Sequence, residues 1–190
     1  MSTPFVTSDL HFFHKNVVAY CNRPWTIEEQ TEQLIQRWNA KVGVNDIVYH
    51  LGDFAFVNRK QIQKVLGVLD QLNGDKRFIM GNHDSRTMWR EIEQLHLGSI
   101  AWVKDYHSMV IDGHKVIMSH YPFASWDRMH HGSFMLHGHC HGSYQGDGKI
   151  LDVGIDNHPE HQVWSWEEIK AFMDTREIVS VDHHEEGGRE

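Results

Sequence analysis

Residues 78–84 read Phe-Ile-Met-Gly-Asn-His-Asp, a short apolar run followed directly by a polar turn. Consecutive apolar side chains in a run of this length are typical of a buried strand. The turn then offers an amide oxygen from Asn82, an imidazole from His83 and a carboxylate from Asp84. Few structural turns need all three groups. The stretch therefore predicts a strand whose carboxyl end carries metal-ligand or catalytic chemistry.

Four other short apolar runs are followed by the same kinds of residue. Open α/β sheets bind ligands outside the carboxyl ends of their strands, so we expect these side chains to meet at one edge. Residues two apart in an extended chain also point to the same side, which brings paired ligands together. The runs and the residues after them are Phe5-Val6-Thr7 with Asp9-Leu10-His11, Ile47-Val48-Tyr49 with Gly52-Asp53, Val116-Ile117-Met118 with His120, and Phe134-Met135-Leu136 with Gly138-His139-Cys140-His141.

Each of these motifs alone also has a structural interpretation. A single Asp after a strand is more often a turn former or a helix cap than a metal ligand. An isolated Asn-His or His-x-His pair is equally weak as a signal. The prediction of a functional site depends on all five motifs occurring together along one chain.

Helical patterns alternate with the first strands, and strand-rich sequence follows. Apolar residues recur at helical spacing from about Ile27 to Ala40, after a capping box between Thr26 and Glu29. We expect an α/β (α+β) fold, a four-layer α/β/β/α sandwich of two mixed sheets flanked by helices. The other predicted elements are helices near 62–72 and 86–95, a hairpin of Tyr106–Ile111 with Lys115–Ser119 around Asp112-Gly113-His114, and a short helix that is capped by Ser165 and Glu168 and carries Ile169, Phe172 and Met173.

Size and composition predict the organisation of the chain. Its 190 residues, 40% of them hydrophobic, are enough for a core without disulfide support, so we expect a single domain over residues 1–181. The polar, charged and glycine-containing residues 182–190 predict a disordered tail. No apolar run approaches the roughly 20 residues of a membrane span, so no membrane partner is expected. The two cysteines favour the cytoplasm, and the oligomeric state stays open.

The charge balance limits the partners of the chain. A formal net charge of −8 argues against binding to long duplex nucleic acid, because that affinity comes from many Lys and Arg contacts. Short or small phosphoesters remain compatible with it. The sequence also has 17 histidines, more than a globular chain needs for structure, and several of them lie in the motifs at the strand ends.

The five motifs, in this order, resemble the signature blocks of the calcineurin-like metallophosphoesterases, and residues 8–25, 46–56 and 120–142 are similar to small single-domain bacterial and phage members. This resemblance implies metal-dependent hydrolysis of a phosphate ester by two divalent cations bridged by Asp53. It favours Mn²⁺, with Fe or Zn²⁺ as alternatives. The ligands that it implies are Asp9, His11, Asp53 and His141 for one cation, and Asp53, Asn82, His120 and His139 for the other.

The resemblance also implies a mechanism. A hydroxide that bridges the two cations attacks phosphorus, His83 protonates the leaving oxygen as general acid, and Asp84 orients the His83 imidazole. We expect a small, nucleotide-like phosphodiester or phosphomonoester as substrate. One alternative is a nuclease that acts on short or single-stranded nucleic acid. The other is a non-enzymatic metal-binding scaffold, against which the intact motifs argue.

Cationic and aromatic side chains near the motifs are candidates for contact with the rest of the substrate. Arginine suits bidentate contact with phosphate, although solvated surface is the alternative for each. Trp25, Trp126 and Tyr121 are candidates for stacking on a base, with burial in the core as the alternative. Asp156 matches an Asp that family members carry after the last sheet strand, but its neighbours depart from that pattern. The candidate substrate-binding residues are His14, Arg23, Arg86 and Arg128.

Overall fold

Two four-stranded sheets form the centre of the computed structural model, which describes residues 4–95 and 100–181. The first sheet has the order β1-β2-β3-β4 and the second the order β5-β6-β7-β8. In the first sheet the strands are β1 (Phe5–Thr7), β2 (Ile47–His50), β3 (Asp75–Ile79) and β4 (Ile100–Lys104). In the second they are β5 (Tyr106–Ile111), β6 (His114–Ser119), β7 (Phe134–His137) and β8 (Ile150–Asp152).

All strand pairs of the first sheet are parallel. A parallel pair needs a crossover connection, and helices lie between each two consecutive strands of this sheet in the chain. The sequence led us to expect two mixed sheets, and this is wrong for the first sheet. Its strands are all parallel because each is connected to the next by a helical crossover. The helices are α1 (Val17–Tyr20), α2 (Gln30–Lys41), α3 (Ile62–Leu69) and α4 (Arg86–Leu95).

The second sheet is mixed. Strands β5 and β6 form the predicted antiparallel hairpin, in which Tyr106 pairs with Ser119 and Ile111 with His114. The two turn residues, Asp112 and Gly113, both have positive φ, at 47° and 81°, as a type I′ turn requires. Strands β6, β7 and β8 then pair in parallel.

Side chains that alternate along the strands create two apolar layers. Val48 on β2 and Phe78 on β3 pack among buried residues of the helices, whereas their neighbours Tyr49 and Ile79 pack toward the second sheet. This alternation follows from the two-residue period of a strand. The second sheet contributes the other side of the inter-sheet layer, with Val116, Met118, Phe134, Leu136 and Leu151.

The outer face of the second sheet is covered differently from the first. Ile117 and Met135 pack there against Trp126 and Met129, which lie on a loop and a short 3₁₀ helix. The helix α5 (Trp166–Asp174) instead buries one side in the inter-sheet layer. The predicted α/β sandwich of two sheets flanked by helices is confirmed, with a loop and a short 3₁₀ helix as the cover on the outer face of the second sheet.

The structure also tests the predicted elements. Helix α4 has the predicted bounds, and the Thr26–Glu29 and Ser165–Glu168 caps are formed by reciprocal hydrogen bonds. Strands β4 and β8 were not predicted. The predicted tail, residues 182–190, lies outside the described residues, and the single domain over residues 1–181 stays a prediction. Each helix in the described part of the chain is too short or too polar to cross a bilayer.

Substitution of Phe78 tests the packing between the first sheet and its helices. The side chain is fully buried, and its ring centroid lies 4.4 Å from that of Trp89 and 5.2 Å from that of Phe54. Replacing Phe78 with Ala leaves a cavity, so we expect unfolding free energy to fall by about 3–5 kcal/mol in urea denaturation. Val110→Ala, at a side chain that is 62% exposed, is the control and changes it by less than about 0.5 kcal/mol. A loss below about 1 kcal/mol for Phe78→Ala contradicts this packing.

Candidate metal centre

The loops at the strand ends hold most of the predicted ligands in a left-handed backbone conformation. Non-glycine residues rarely adopt positive φ, and such strain concentrates at functional sites. This conformation turns the chain sharply after β1, β2 and β7 and directs the polar side chains there toward one another. The five ligands concerned are Asp9 (φ 58°), His11 (φ 50°), Asp53 (φ 58°), His139 (φ 70°) and His141 (φ 47°).

Two glycines allow these loops to approach one another closely. A Cβ atom on Gly81 would collide with the side chain and backbone nitrogen of Asp53. A Cβ atom on Gly138 would collide with Ser8 Oγ and lie 2.5 Å from Asp9 Oδ2. Both positions therefore require glycine, because a larger residue would push the loop away from the predicted ligand.

Asp9, His11 and His141 form the first candidate ligand group, with donor atoms within 4.8 Å of one another. Asp9 Oδ1 lies 3.8 Å from His11 Nε2 and 3.9 Å from His141 Nε2. These distances are too long for hydrogen bonds, but two donors at about 2.0–2.2 Å from one cation are themselves up to about 4.4 Å apart. The three atoms are therefore spaced to share a cation.

Asp9 gives a direct test of whether a cation fits this group. Its side chain is fully buried, and Oδ1 has no hydrogen-bond partner among the described residues, whereas Oδ2 accepts the backbone N–H of His139 at 2.9 Å. Burial raises the pKa of Asp9 to about 7. A buried carboxylate stays ionised when a cation offsets its charge, so the unpaired Oδ1 fits a metal ligand.

Asp53, His120 and His139 form the second group, also with donor atoms within 4.8 Å. The Oδ1 atom of Asn82 lies 2.9 Å from His120 Nε2 and 2.9 Å from His139 Nδ1. The Asn82 amide oxygen is therefore close to one nitrogen of each imidazole. His120 is fixed by a second contact, in which its Nδ1 lies 2.9 Å from the Leu51 carbonyl oxygen.

The Asp53 carboxylate lies between the two groups. Its Oδ2 is 3.7 Å from His11 Nε2 and 3.4 Å from His120 Nε2, while Oδ1 accepts the backbone N–H of His83 at 2.8 Å. Burial opposes ionisation of Asp53, but its hydrogen bond and charge interaction with His120 and the His83 N–H outweigh burial and lower its pKa to about 2. An ionised carboxylate between the two ligand groups lies where it could bind a cation in each group.

The seven predicted ligands offer imidazole nitrogens and carboxylate or amide oxygens. This set fits divalent transition metals such as Mn²⁺, Fe²⁺ and Zn²⁺, whereas Ca²⁺ prefers oxygen alone. The spacing of the donors, the unpaired Asp9 oxygen and the central position of Asp53 all agree with that chemistry.

Asp156 and Arg23 support His141 from behind. Asp156 Oδ2 lies 2.7 Å from His141 Nδ1, and the same carboxylate accepts Arg23 Nε and Nη2 at 2.7 and 2.9 Å. Burial opposes protonation of His141, but the hydrogen bond to Asp156 outweighs it and raises the pKa of His141 to about 11. The Nδ1 proton is donated to Asp156 and Nε2 is directed toward Asp9, so a cation bound at Nε2 would take the place of the second proton of the imidazolium.

Arg23 does not occupy a position where it could contact substrate. Its side chain is buried, and besides Asp156 it donates to the backbone oxygens of Asp9 at 2.8 Å and Leu10 at 2.9 Å and to Gln30 Oε1 at 3.3 Å. All three guanidinium nitrogens of Arg23 donate hydrogen bonds within the protein. This corrects the prediction of a substrate contact: Arg23 fixes the Asp9 loop and Asp156.

Cys21, His141 and Asp156 form a third cluster of ligand-type atoms. The Cys21 sulfur lies 3.3 Å from His141 Nδ1, the same nitrogen that contacts Asp156. The Arg23 guanidinium already pairs with both Asp156 oxygens, and its positive charge opposes a further cation at this point. We interpret this cluster as the support of His141.

His83 and Asp84 follow Asn82 of the second group directly in the chain. The exposed His83 ring lines a cavity of about 590 Å³ together with His11 and His141, hereafter the metal cavity. Asp84 instead points into the loop: its Oδ2 accepts the backbone N–H groups of Asp53 and Gly81, both at 2.8 Å. Burial raises the pKa of Asp84 to about 6. The structure thus corrects one prediction, because Asp84 holds the loop and makes no hydrogen bond to the His83 ring among the described residues.

Two further predicted substrate contacts lie elsewhere, whereas His14 lines the metal cavity. The Arg86 side chain is 64% exposed and pairs with Asp105 at 2.5 Å, beside a small cavity that shares no lining residue with the metal cavity. Arg128 lines a small cavity with Gly113 and His114 at the start of β6, the end opposite to His120. Neither arginine lines the metal cavity, and a substrate contact by Arg86 or Arg128 stays a prediction.

The three aromatic candidates for base stacking also differ in where they lie. Trp25 is buried in the helical layer, under the guanidinium of Arg37, and Trp126 is buried behind the second sheet. Tyr121 is 48% exposed, and its ring centroid lies 4.6 Å from that of His139. Of the three, Tyr121 alone adjoins the metal centre.

Sequence reasoning gave no role to Gln30 and Cys21. Gln30 opens α2 and is buried, and its Nε2 donates to the backbone oxygen of His11 at 3.0 Å. A buried polar residue at the start of an otherwise amphipathic helix is visible in the sequence only as a break in the apolar pattern. The Cys21 contact with His141 joins residues 120 positions apart, and no local pattern indicates it.

Comparison with known proteins assigns a class to this site. The family model of calcineurin-like phosphoesterases matches residues 4–187, and the chain belongs to this family. It is a metal-dependent phosphoester hydrolase, and the clusters of Asp and His side chains described above are its candidate metal-ligand groups.

Individual relatives are similar over much of the chain. An uncharacterized protein of Methanocaldococcus jannaschii is 34% identical over 141 residues, 74% of this chain and 70% of that protein. The gene 66 protein of Mycobacterium phage D29 is 30% identical over 205 residues, 95% of this chain and 97% of that protein. The crystal structure of a protein of unknown function from Aquifex aeolicus has a TM-score of 0.69 at 19% identity and covers 90% of this chain and 100% of its own. This last likeness supports the fold.

Asp156→Asn tests the support of His141. The substitution keeps the shape of the side chain but removes the charge that holds the imidazole, so we expect Mn²⁺ affinity to fall about 10- to 100-fold by isothermal titration calorimetry. The matched control is Asp147→Asn, at an exposed carboxylate, which leaves the affinity unchanged. Wild-type affinity in Asp156→Asn, with an unchanged far-UV spectrum, contradicts the supporting role.

Proposed function

We propose that this chain hydrolyses small phosphate esters with two divalent cations that share Asp53. The observation that carries the proposal is the position of Asp53 Oδ2 between His11 Nε2 and His120 Nε2, at 3.7 and 3.4 Å. Asp9, His11 and His141 complete one set of ligands, and Asn82, His120 and His139 the other. When bound, two such cations would supply a hydroxide nucleophile and would offset the charge that builds up on the phosphoryl group.

His83 is the proposed general acid. Its imidazole is exposed on the wall of the metal cavity, while its backbone N–H is anchored to Asp53 Oδ1 at 2.8 Å. This hydrogen bond anchors the His83 backbone beside the proposed bridge, so the ring lies in the cavity where a leaving oxygen could receive its proton. Asp84 contributes by holding the loop on which His83 stands, through the Gly81 and Asp53 backbone N–H groups.

His14 is the proposed contact for a phosphoryl oxygen or a substrate hydroxyl. Its Nδ1 accepts the backbone N–H of Asn16 at 3.2 Å, so in the neutral ring Nε2 carries the proton and is a donor. The ring stands between those of His11 and Phe56, with centroid distances of 5.6 and 4.7 Å. A donor at this place orients substrate without adding a fixed charge.

The proposed substrate is a small, nucleotide-like phosphodiester or phosphomonoester. A metal cavity of about 590 Å³ has the size of a small-molecule site, and the net charge of −8 disfavours a long polyanion. The nitrogen and oxygen donors make Mn²⁺ the first metal to assay. A single domain in the cytoplasm remains part of this proposal.

The activity assay uses metal-stripped protein with bis-p-nitrophenyl phosphate and p-nitrophenyl phosphate. We expect Mn²⁺ to restore turnover and Asp53→Asn to reduce kcat at least about 100-fold, because losing even an outer partner of a ligand costs about 10- to 100-fold. Asp147→Asn keeps wild-type turnover. Full activity of Asp53→Asn would contradict a shared carboxylate, and silence of the wild type with both esters and several metals would contradict the proposed activity.

His83→Ala separates acid catalysis from metal binding. Removing a general acid costs about 10²- to 10⁴-fold in rate when the leaving group is a poor one. We therefore expect kcat to fall by that factor with an alkyl or phenyl ester, and by much less with a p-nitrophenyl ester, whose leaving group needs little protonation. Metal content by mass spectrometry serves as the control. Equal losses with both esters would show that His83 does not protonate the leaving oxygen.

A further inference from the structure

A second cavity of about 680 Å³ adjoins the metal cavity. His14 and Tyr20 line both cavities, so the second cavity lies next to the metal cavity on the side of these two residues. The volume lies within the about 300–1,000 Å³ of small-molecule sites. A ligand whose phosphoryl group lies at the metal centre therefore has room to extend past His14.

Two aromatic rings are exposed in this second cavity. The side chain of Tyr20, the last residue of α1, is 73% exposed, and that of Phe56 is 49% exposed. Both stand on fixed backbone, since the Tyr20 N–H donates to Asn16 at 3.0 Å and the Phe56 N–H to Phe12 at 2.8 Å. Exposed rings on fixed backbone next to a polar site offer flat faces on which a planar group can stack.

Two carboxamides in the same cavity have their oxygens already occupied. Asn58 Oδ1 accepts the Lys60 N–H at 3.0 Å, and Gln61 Oε1 accepts the Asn58 N–H at 3.2 Å, which together form a capping box. These contacts orient each side chain and leave its NH₂ group without a partner among the described residues. The cavity therefore presents N–H donors beside aromatic faces, a combination that suits a planar ring with acceptor atoms.

The side on which His83 lies shows which part of the substrate occupies the second cavity. The His83 ring centroid is 5.5 Å from that of Phe56 and 6.2 Å from that of His14, two residues that line this cavity. The group that receives the His83 proton is the leaving group. The leaving group therefore departs on the side of Tyr20 and Phe56.

Resting on the proposed function, we propose that the second cavity binds the base of a nucleoside that is the leaving group of the phosphoester. The base stacks on Tyr20 and Phe56 and accepts hydrogen bonds from Asn58 and Gln61, while the phosphoryl group lies at the metal centre. Lys15 is the one cationic side chain that lines this cavity in the described residues. A single cation suits a mononucleotide better than a longer polyanion.

Binding measurements test this without relying on turnover. Calorimetry on Mn²⁺-loaded protein compares the four common nucleoside 5′-monophosphates with ribose 5-phosphate, which carries the same phosphate without a base. We expect at least one nucleotide to bind about 10-fold more tightly or better. Tyr20→Ala and Phe56→Ala each weaken that nucleotide about 5- to 150-fold, the usual contribution of a base–aromatic stack. Ribose 5-phosphate changes less than about 2-fold in Tyr20→Ala, and in Phe56→Ala it loses less affinity than the nucleotide, because Phe56 also packs against the His14 ring.

The control is Tyr106→Ala, which removes a ring that is 44% exposed on β5 and lines neither cavity, and it keeps wild-type affinity for both ligands. Equal affinity of all four nucleotides and ribose 5-phosphate overturns the inference, as does a nucleotide preference that survives both substitutions. Mn²⁺-dependent hydrolysis of p-nitrophenyl esters without any base preference overturns only this inference. A base preference that needs Tyr20 and Phe56 supports it even if those esters are not hydrolysed.

Discussion

The Asp53 carboxylate is the constraint on which the rest of the site depends. One oxygen accepts the His83 N–H, and the other lies between imidazole nitrogens that come from two different sheets, His11 after β1 and His120 after β6. A carboxylate can occupy this point only if the Gly81 loop passes very close to it. The left-handed conformation of Asp53 and the packing of the two sheets both bring about this one arrangement.

Charged groups behind the ligands keep them in place. Asp84 ties the Asp53 and Gly81 loops together through their backbone N–H groups, and Asp156 holds His141 while Arg23 neutralises Asp156. Each of these side chains uses its hydrogen-bonding capacity within the protein rather than on substrate. The site thus combines loops with left-handed residues at the predicted ligands and buried carboxylates behind them that hold those loops and His141.

Local patterns in the sequence were sufficient to predict the α/β class and the five strands that end in a motif. In each of these, a short apolar run indicates a buried strand, and the Asp, Asn or His after it indicates a functional residue. They did not reveal that Arg23 is buried, since its partner Asp156 lies 133 residues away and an arginine near a loop usually meets solvent. Strand β4 was missed because it lies at the edge of the first sheet, where none of its five residues is fully buried. The cover on the outer face of the second sheet depends on Trp126 and Met129, which have no periodic pattern.

We propose that two cations lie on either side of Asp53. Anomalous diffraction from crystals of Mn²⁺-loaded protein, recorded on both sides of the manganese absorption edge, measures this directly. We expect two peaks about 3.5–4 Å apart, one between Asp9 and His141 and one between His120 and His139, with Asp53 in contact with both. A single peak, or a peak among Cys21, His141 and Asp156 in place of either, would contradict it.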